Sequence, residues 1–228
     1  MKIAETDWQP SVRIIPSRFP PIDLFETVAS PADLDAVFAL ECLTNPRLRE
    51  EIGDLSHVPE GDRVSGPGTS WIMAPFTHLN PNGSRFSPGT FGIYYAAKDL
   101  ETAIAETIHH QMVRLRETNE PPQEFDMRVI HSHLRASLVE LNAEEHLGLL
   151  NPNSYTESQV FGTAIRSEGR DGIKYPSVRR PGGECAAVFR PSRLAPCLQS
   201  EHLSYPWNGT EIPRSKIYVK SALPPPDH

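Results

Sequence analysis

Sulfur chemistry is scarce in this chain of 228 residues. Its three cysteines, Cys42, Cys185 and Cys197, stand far apart and form no CxxC pair. That count and spacing exclude a disulfide framework and a structural zinc site of the usual kind. A basic stretch is also missing. Arg114/Arg116 and Arg179/Arg180 are the densest cationic clusters, and the formal net charge is −7. The electrostatic footprint of a nucleic-acid binder is therefore absent. No apolar run nears the roughly 18 residues of a membrane span, and the opening M-K-I-A-E-T-D-W has no signal-peptide core. Finally, GxGxxG, GxxxxGK[ST] and GxSxG are all lacking, which removes the two commonest nucleotide cradles and the nucleophile elbow. The expectation is a cytoplasmic protein with no direct contact to nucleic acid or membrane.

What is present suffices for a packed core: 38% of residues are hydrophobic and 22% charged. The 23 prolines predict much loop. Residues 1–29, broken by Pro10, Pro16, Pro20 and Pro21, read as irregular. Ser30-Pro31 opens a helix that ends near Asn45-Pro46. Trp71–Phe76 reads as a short strand or packed loop, and Phe91–Ala97 as an aromatic strand. Asp99 caps a helix whose Ile104, Ile108, Met112 and Leu115 share one face. Met127–Leu141 reads as one or two strands. Thr156-x-x-Gln159 is a capping box for a helix with Val160, Phe161, Ala164 and Ile165 on its apolar face. Short strands follow at 173–178 and 185–189, and the tail beyond Pro196 reads as loose. Short strands interleaved with helices predict an α+β fold, a small mixed sheet with flanking helices, too irregular for a doubly wound parallel sheet.

The stretch Asn82–His110 carries the most chemistry. Arg85 sits among Gly83, Pro88 and Gly89, where a backbone can approach a ligand closely, and a guanidinium binds a diphosphate bidentately. Tyr94 and Tyr95 point to opposite faces of their strand, so one suits the core and the other a cleft. Glu106 falls opposite the apolar stripe of its helix and faces solvent or a cleft. Each residue has a plainer reading: a turn arginine, a packed tyrosine, a solvated carboxylate. Glu106-x-x-His109 with His131 and His133 also admits a metal site, although the pattern has no second E-x-x-H and no HExxH.

The run R-F-S-P-G-T-F-G-I-Y-Y-A-A-K-D-L-E-T-A-I-A-E, followed by Y-P-S-V-R-R-P-G-G and a short strand ending in Phe-Arg-Pro, resembles the RES-domain family. The family's arginine, glutamate and serine fall on Arg85, Glu106 and Ser177, its tyrosine on Tyr95, and a further arginine on Arg18. The resemblance implies an ADP-ribosyltransferase-like fold and a single domain over 1–228. Its core is expected at about 75–195, with an N-terminal extension 1–74 that includes a helix at about 31–45, and a loose tail 196–228. It also implies the toxin of a toxin–antitoxin pair that consumes NAD by cleaving the nicotinamide–ribose bond, as a glycohydrolase or phosphorylase. Glu106, Arg85 and Ser177 would be catalytic. Arg18, Arg85, Tyr95 and Ser177 would bind NAD, which is substrate rather than resident cofactor, and no metal is required. The implied partner is a cognate antitoxin with a DNA-binding domain, in a hetero-oligomer. Two alternatives keep the same residues: a mono-ADP-ribosyltransferase acting on a cellular protein, and a non-catalytic binding module. Two departures from the family pattern stand out: a longer segment between Arg18 and Arg85, and Cys185 where many members have Asn.

Overall fold

The computed structural model describes residues 1–43 and 48–220. Its strands are β1 (Ile3–Pro16), β2 (Tyr94–Ala97), β3 (Gln123–Glu140), β4 (Gly172–Pro176), β5 (Glu184–Val188), β6 (Leu198–Trp207) and β7 (Tyr218–Lys220). Its helices are α1 (Asp23–Thr27), α2 (Leu34–Glu41), α3 (Leu48–Ile52), α4 (Ser70–Thr77), α5 (Leu100–Glu117) and α6 (Thr156–Ser167). The strands form one sheet in the order β1-β2-β5-β4-β3-β6-β7, and β1 also pairs with β3. Only β3 and β4 run parallel, so the sheet is mixed. The β1–β3 ladder closes a ring of five strands, from which β6 and β7 extend. This is the α+β architecture that the sequence predicts.

The N-terminal segment corrects the sequence reading. Residues 3–16 are not irregular but form a strand paired with β3 from Ile3–Val139 to Pro16–Met127. Pro10 does not break it, because the register shifts between Trp8 and Ser11. At such a bulge the missing proline N–H costs no ladder bond. The tail is corrected likewise: β6 lies along β3 and buries Leu203, Tyr205 and Trp207. A core confined to 75–195 therefore does not describe the sheet, which draws on both flanking segments.

Trp71–Phe76 is neither strand nor loop but most of α4. The Glu26 carboxylate accepts the N–H groups of Gly68 and Ser70 at 2.6 and 2.9 Å, placing a negative charge at the helix N-terminus. Ile72, Met73 and Phe76 bury the opposite face. The helix expected at 31–45 starts as a tight turn at Pro31–Asp33, capped by Ser30, and continues as α2 to Glu41. Its expected end at Asn45-Pro46 lies outside the described residues. The Thr156–Gln159 capping box does not form, since no side chain caps α6. Val160 and Ala164 are exposed, and the buried face is Ser158, Gly162 and Ile165. A Cβ at Gly162 would lie 2.1 Å from the Phe86 carbonyl oxygen, so this helix docks by close backbone approach rather than by an apolar stripe.

Asp99 does cap α5, accepting the Thr102 N–H at 2.8 Å. Ile104, Ile108 and Leu115 pack in a cluster with Val12, Ile14, Met127, Leu203 and Tyr205. Full burial of each such aliphatic side chain contributes about 1.5–3 kcal/mol. Among the described residues no helix is long and apolar enough to cross a membrane.

Candidate active site

A cavity of about 870 Å³ opens between β1, β2, α4 and α5, within the usual range of about 300–1,000 Å³ for small-ligand pockets. From α5 it is lined by Ala103, Glu106, Thr107, His110 and Gln111. Those positions follow i, i+3, i+4, i+7, i+8 spacing, so one continuous face of the helix forms the wall. Glu106 thus faces a cleft, as its position opposite the apolar stripe predicts. Arg85, Tyr95, Tyr175 and Cys185 complete this polar end.

Ser177 stands behind Glu106. Its hydroxyl donates to Glu106 Oε1 at 2.5 Å and accepts the N–H groups of Arg179 and Arg180 at 3.1 and 3.0 Å. A hydroxyl has two lone pairs and one proton. With both lone pairs engaged by amides, the proton is directed to the carboxylate. Cys185 Sγ also approaches Oε1, at 3.8 Å. Burial and the neighbouring Glu106 push the Cys185 thiol up, which keeps it protonated and a donor. Both contacts fall on Oε1, which leaves Oε2 for a ligand. Ser177 is held by its loop: its own N–H donates to Gly183 O at 2.8 Å.

Arg85 is 7% exposed although it sits in a turn. Ser84 and Ser87 bridge around it, and Phe86 beside it is fully buried against Tyr175. The Tyr95 hydroxyl bonds Ser84 Oγ at 2.9 Å and accepts the Phe86 N–H at 3.1 Å, so it fixes both flanks of the arginine. Burial raises the Tyr95 phenol to about 12. Arg85 donates to Asn151 O at 2.9 Å and lies 4.7 Å over the Tyr155 ring. Tyr94 is the core partner of the pair, with no exposure.

Arg18 is not brought to this group. It is exposed, stacked 5.0 Å over Phe19, and absent from the cavity wall. Arg13 is there instead. Its guanidinium donates to Tyr95 O at 2.8 Å, lies 4.7 Å over the Tyr94 ring, and is depressed in pKa by desolvation. Among the described residues neither Arg13 nor Arg85 has a carboxylate partner. A buried cation without a counter-charge is costly, and both arginines line the same cavity, an arrangement that can hold an anion.

A family model for the RES domain matches residues 62–208. The chain belongs to the RES-domain family. It is 35% identical over 202 residues, covering 88% of this chain and 84% of the relative, to the uncharacterized protein y4oC of Sinorhizobium fredii (strain NBRC 101917 / NGR234). A distant likeness extends to a chain of the crystal structure of the M. tuberculosis MbcT–MbcA toxin–antitoxin complex. There the TM-score is 0.45 and the identity 11%, with 87% of this chain and 86% of that chain covered.

The RES match contains Arg85, Tyr95, Glu106 and Ser177 but stops short of β1 and hence of Arg13. Sequence reasoning passed over Arg13 because Pro10 and Pro16 disguised its strand. The available signal was the alternation of Val12, Ile14 and Pro16 around it. His109 was noted only as a metal candidate. Its Nε2 accepts from Arg179 Nη2 at 2.8 Å, so the ring is neutral. Desolvation, then Arg179, lowers its pKa to about 4. His133 pairs with Asp7 across the β1–β3 ladder. Among the described residues, Glu106, His109, His131 and His133 do not gather into a group of three or more that would hold a metal ion.

Proposed function

We propose that this RES protein is the toxin of a toxin–antitoxin pair and that its cavity cleaves the nicotinamide–ribose bond of NAD. The carrying observation is the Glu106 carboxylate, held on one oxygen by Ser177 and open on the other, in one cavity with two arginines that lack counter-charges among the described residues. Membership of the RES family supports the same reading. In this assignment Arg13 and Arg85 hold the pyrophosphate, with Arg13 taking the part that sequence reasoning gave to Arg18. Tyr95 packs beside the nicotinamide riboside and fixes the Arg85 turn.

The chemistry follows from charge. The glycosidic C–N bond breaks and its electron pair leaves on neutral nicotinamide, so the ribose carbon gains oxocarbenium character, as in glycoside cleavage. The Glu106 carboxylate opposes that charge and accepts a hydrogen bond from a ribose hydroxyl on Oε2, a preorganised electrostatic effect. Water or phosphate then adds to the ribose carbon and loses a proton, giving ADP-ribose or its phosphate. Ser177 is a positioning residue here, because its proton is committed to Glu106 and both its lone pairs are engaged by the Arg179 and Arg180 amides.

The test is NAD concentration, by enzymatic assay or mass spectrometry, with wild type against Glu106→Ala. The variant is expected to bind NAD and not consume it. Full consumption by Glu106→Ala overturns the assignment. A labelled protein band in a lysate given radiolabelled NAD, in place of free ADP-ribose, would move the reading to a mono-ADP-ribosyltransferase. The proposed partner is a cognate antitoxin, with a DNA-binding domain, that restrains the enzyme in the cytoplasm. We treat the whole chain, 1–228, as one RES-type domain.

A further inference from the structure

The same cavity has a second, more apolar part that the bond-breaking chemistry does not use. Its walls include Trp71, Ala74 and Pro75 from α4 and Phe19, Pro20 and Pro21 from the segment after β1, while Ser70, His78, Glu50 and Glu51 supply polar atoms to the same lining. On α4, Trp71, Ala74 and Pro75 stand at i, i+3 and i+4, again one face of a helix, and Ser70 lines the cavity beside them. This face is chemically unlike that of α5: an indole, a methyl and a pyrrolidine against a carboxylate, a hydroxyl and an imidazole. Phe19 is 51% exposed at the mouth, with the Arg18 guanidinium over its outer surface. Arg128 likewise lies 5.7 Å over the half-buried Trp71 ring, so each ring has a guanidinium on one face and its other face for a ligand. Much of this wall lies before residue 62, in the part of the chain that the RES match does not reach.

We propose that this end takes the adenine base of NAD, an inference that rests on the reading of the cavity as an NAD site. Three features decide the occupant. The recess is continuous with the polar end, in one cavity. Arg13 stands between the two ends on β1, which lines the cavity from Val12 to Pro16. The strand rises ~3.3 Å per residue, so Arg13 and Pro16 are about 10 Å apart along it. A pyrophosphate at Arg13 therefore has nicotinamide riboside on the Glu106 side and adenosine on the Phe19 side. A flat purine with two π-faces suits a recess of aromatic rings and prolines, where stacking needs no hydrogen-bond readout. Arg18, displaced from the anion site, then has a role as the outer support of Phe19.

Two variants test this. Phe19→Ala removes one ring from an exposed position, and Ala74→Phe fills the recess. Base–aromatic stacking is worth about 1–3 kcal/mol, so KM for NAD is expected to rise about five-fold or more. Turnover of nicotinamide mononucleotide, which has no adenosine, is expected to be unchanged in both. Independently of turnover, AMP is expected to bind wild type in a calorimetric titration and to bind each variant more weakly. Unchanged NAD kinetics in both variants overturns the inference, and so does failure of AMP to bind wild type. AMP binding that depends on Phe19, in a protein that leaves NAD intact, would sink the catalytic reading and keep the base site.

Discussion

A serine that accepts two amide N–H bonds and donates one proton has little freedom, and that sets its worth. Ser177→Ala removes one charge-assisted hydrogen bond to Glu106, of about 1.5–3 kcal/mol. In a steady-state assay kcat for NAD is expected to fall roughly 10- to 150-fold with KM little changed, and Ser177→Thr to restore most of it. The reverse pattern, an intact kcat with a raised KM, would make Ser177 a substrate ligand. Arg13 gives a contrasting case, because in the proposed function its charge stabilises a complex rather than the free protein. A buried charge without a counter-charge is commonly replaced at little cost by an apolar side chain. Arg13→Met is therefore expected to hold or raise the Tm of the free protein and to abolish the upward Tm shift expected of wild type with NAD, read by differential scanning fluorimetry. His109 adds a pH dependence. Its folded pKa of about 4 lies below the unfolded value, so between about 6.5 and 4 the unfolded chain binds the extra proton. Stability is expected to decline as pH falls through that window. His109→Gln, which still offers Arg179 an acceptor, should flatten the decline in Tm measured against pH.

Helices and turns deliver these residues, and they differed in how plainly the sequence announced them. α5 was fully legible. Its cap, its apolar stripe and the opposite placement of Glu106 all follow from helical spacing, and the cavity wall uses that same periodicity. Ser177 was not placed by any local pattern, because its partner lies on a distant element, and only the family resemblance singled it out. α4 was misread because Pro75 and an unbroken apolar run mask a helix whose start is stabilised by Glu26, far away in sequence. α6 was misjudged on its buried face, since its docking depends on a missing side chain. Gly162→Ala would push a methyl into the Phe86 carbonyl at 2.1 Å. Relief of that overlap is expected to cost about 1–3 kcal/mol in denaturant unfolding. Because Phe86 adjoins Arg85, NAD affinity should fall with it.

For the molecule as a whole, the site is a product of ring closure. β1 supplies Arg13, β2 supplies Tyr95, β5 supplies Cys185, and the loop between β4 and β5 supplies Ser177. The strands that close the ring were the ones least visible in sequence, since Pro10 hid β1, and the polar run before Leu203 hid β6. That closure also fixes an order of events during synthesis. Ile3 must wait for Val139 before its ladder can form, and Glu106 must wait for Ser177. A ribosome that has released only the first half of the chain holds Arg13, Arg85, Tyr95 and Glu106 with no sheet to gather them. Pairings this distant in sequence also form slowly. On the proposed function, a chain whose finished form consumes NAD would thus be harmless until most of it has been made, which would leave time for a restraining partner to be present when the ring closes.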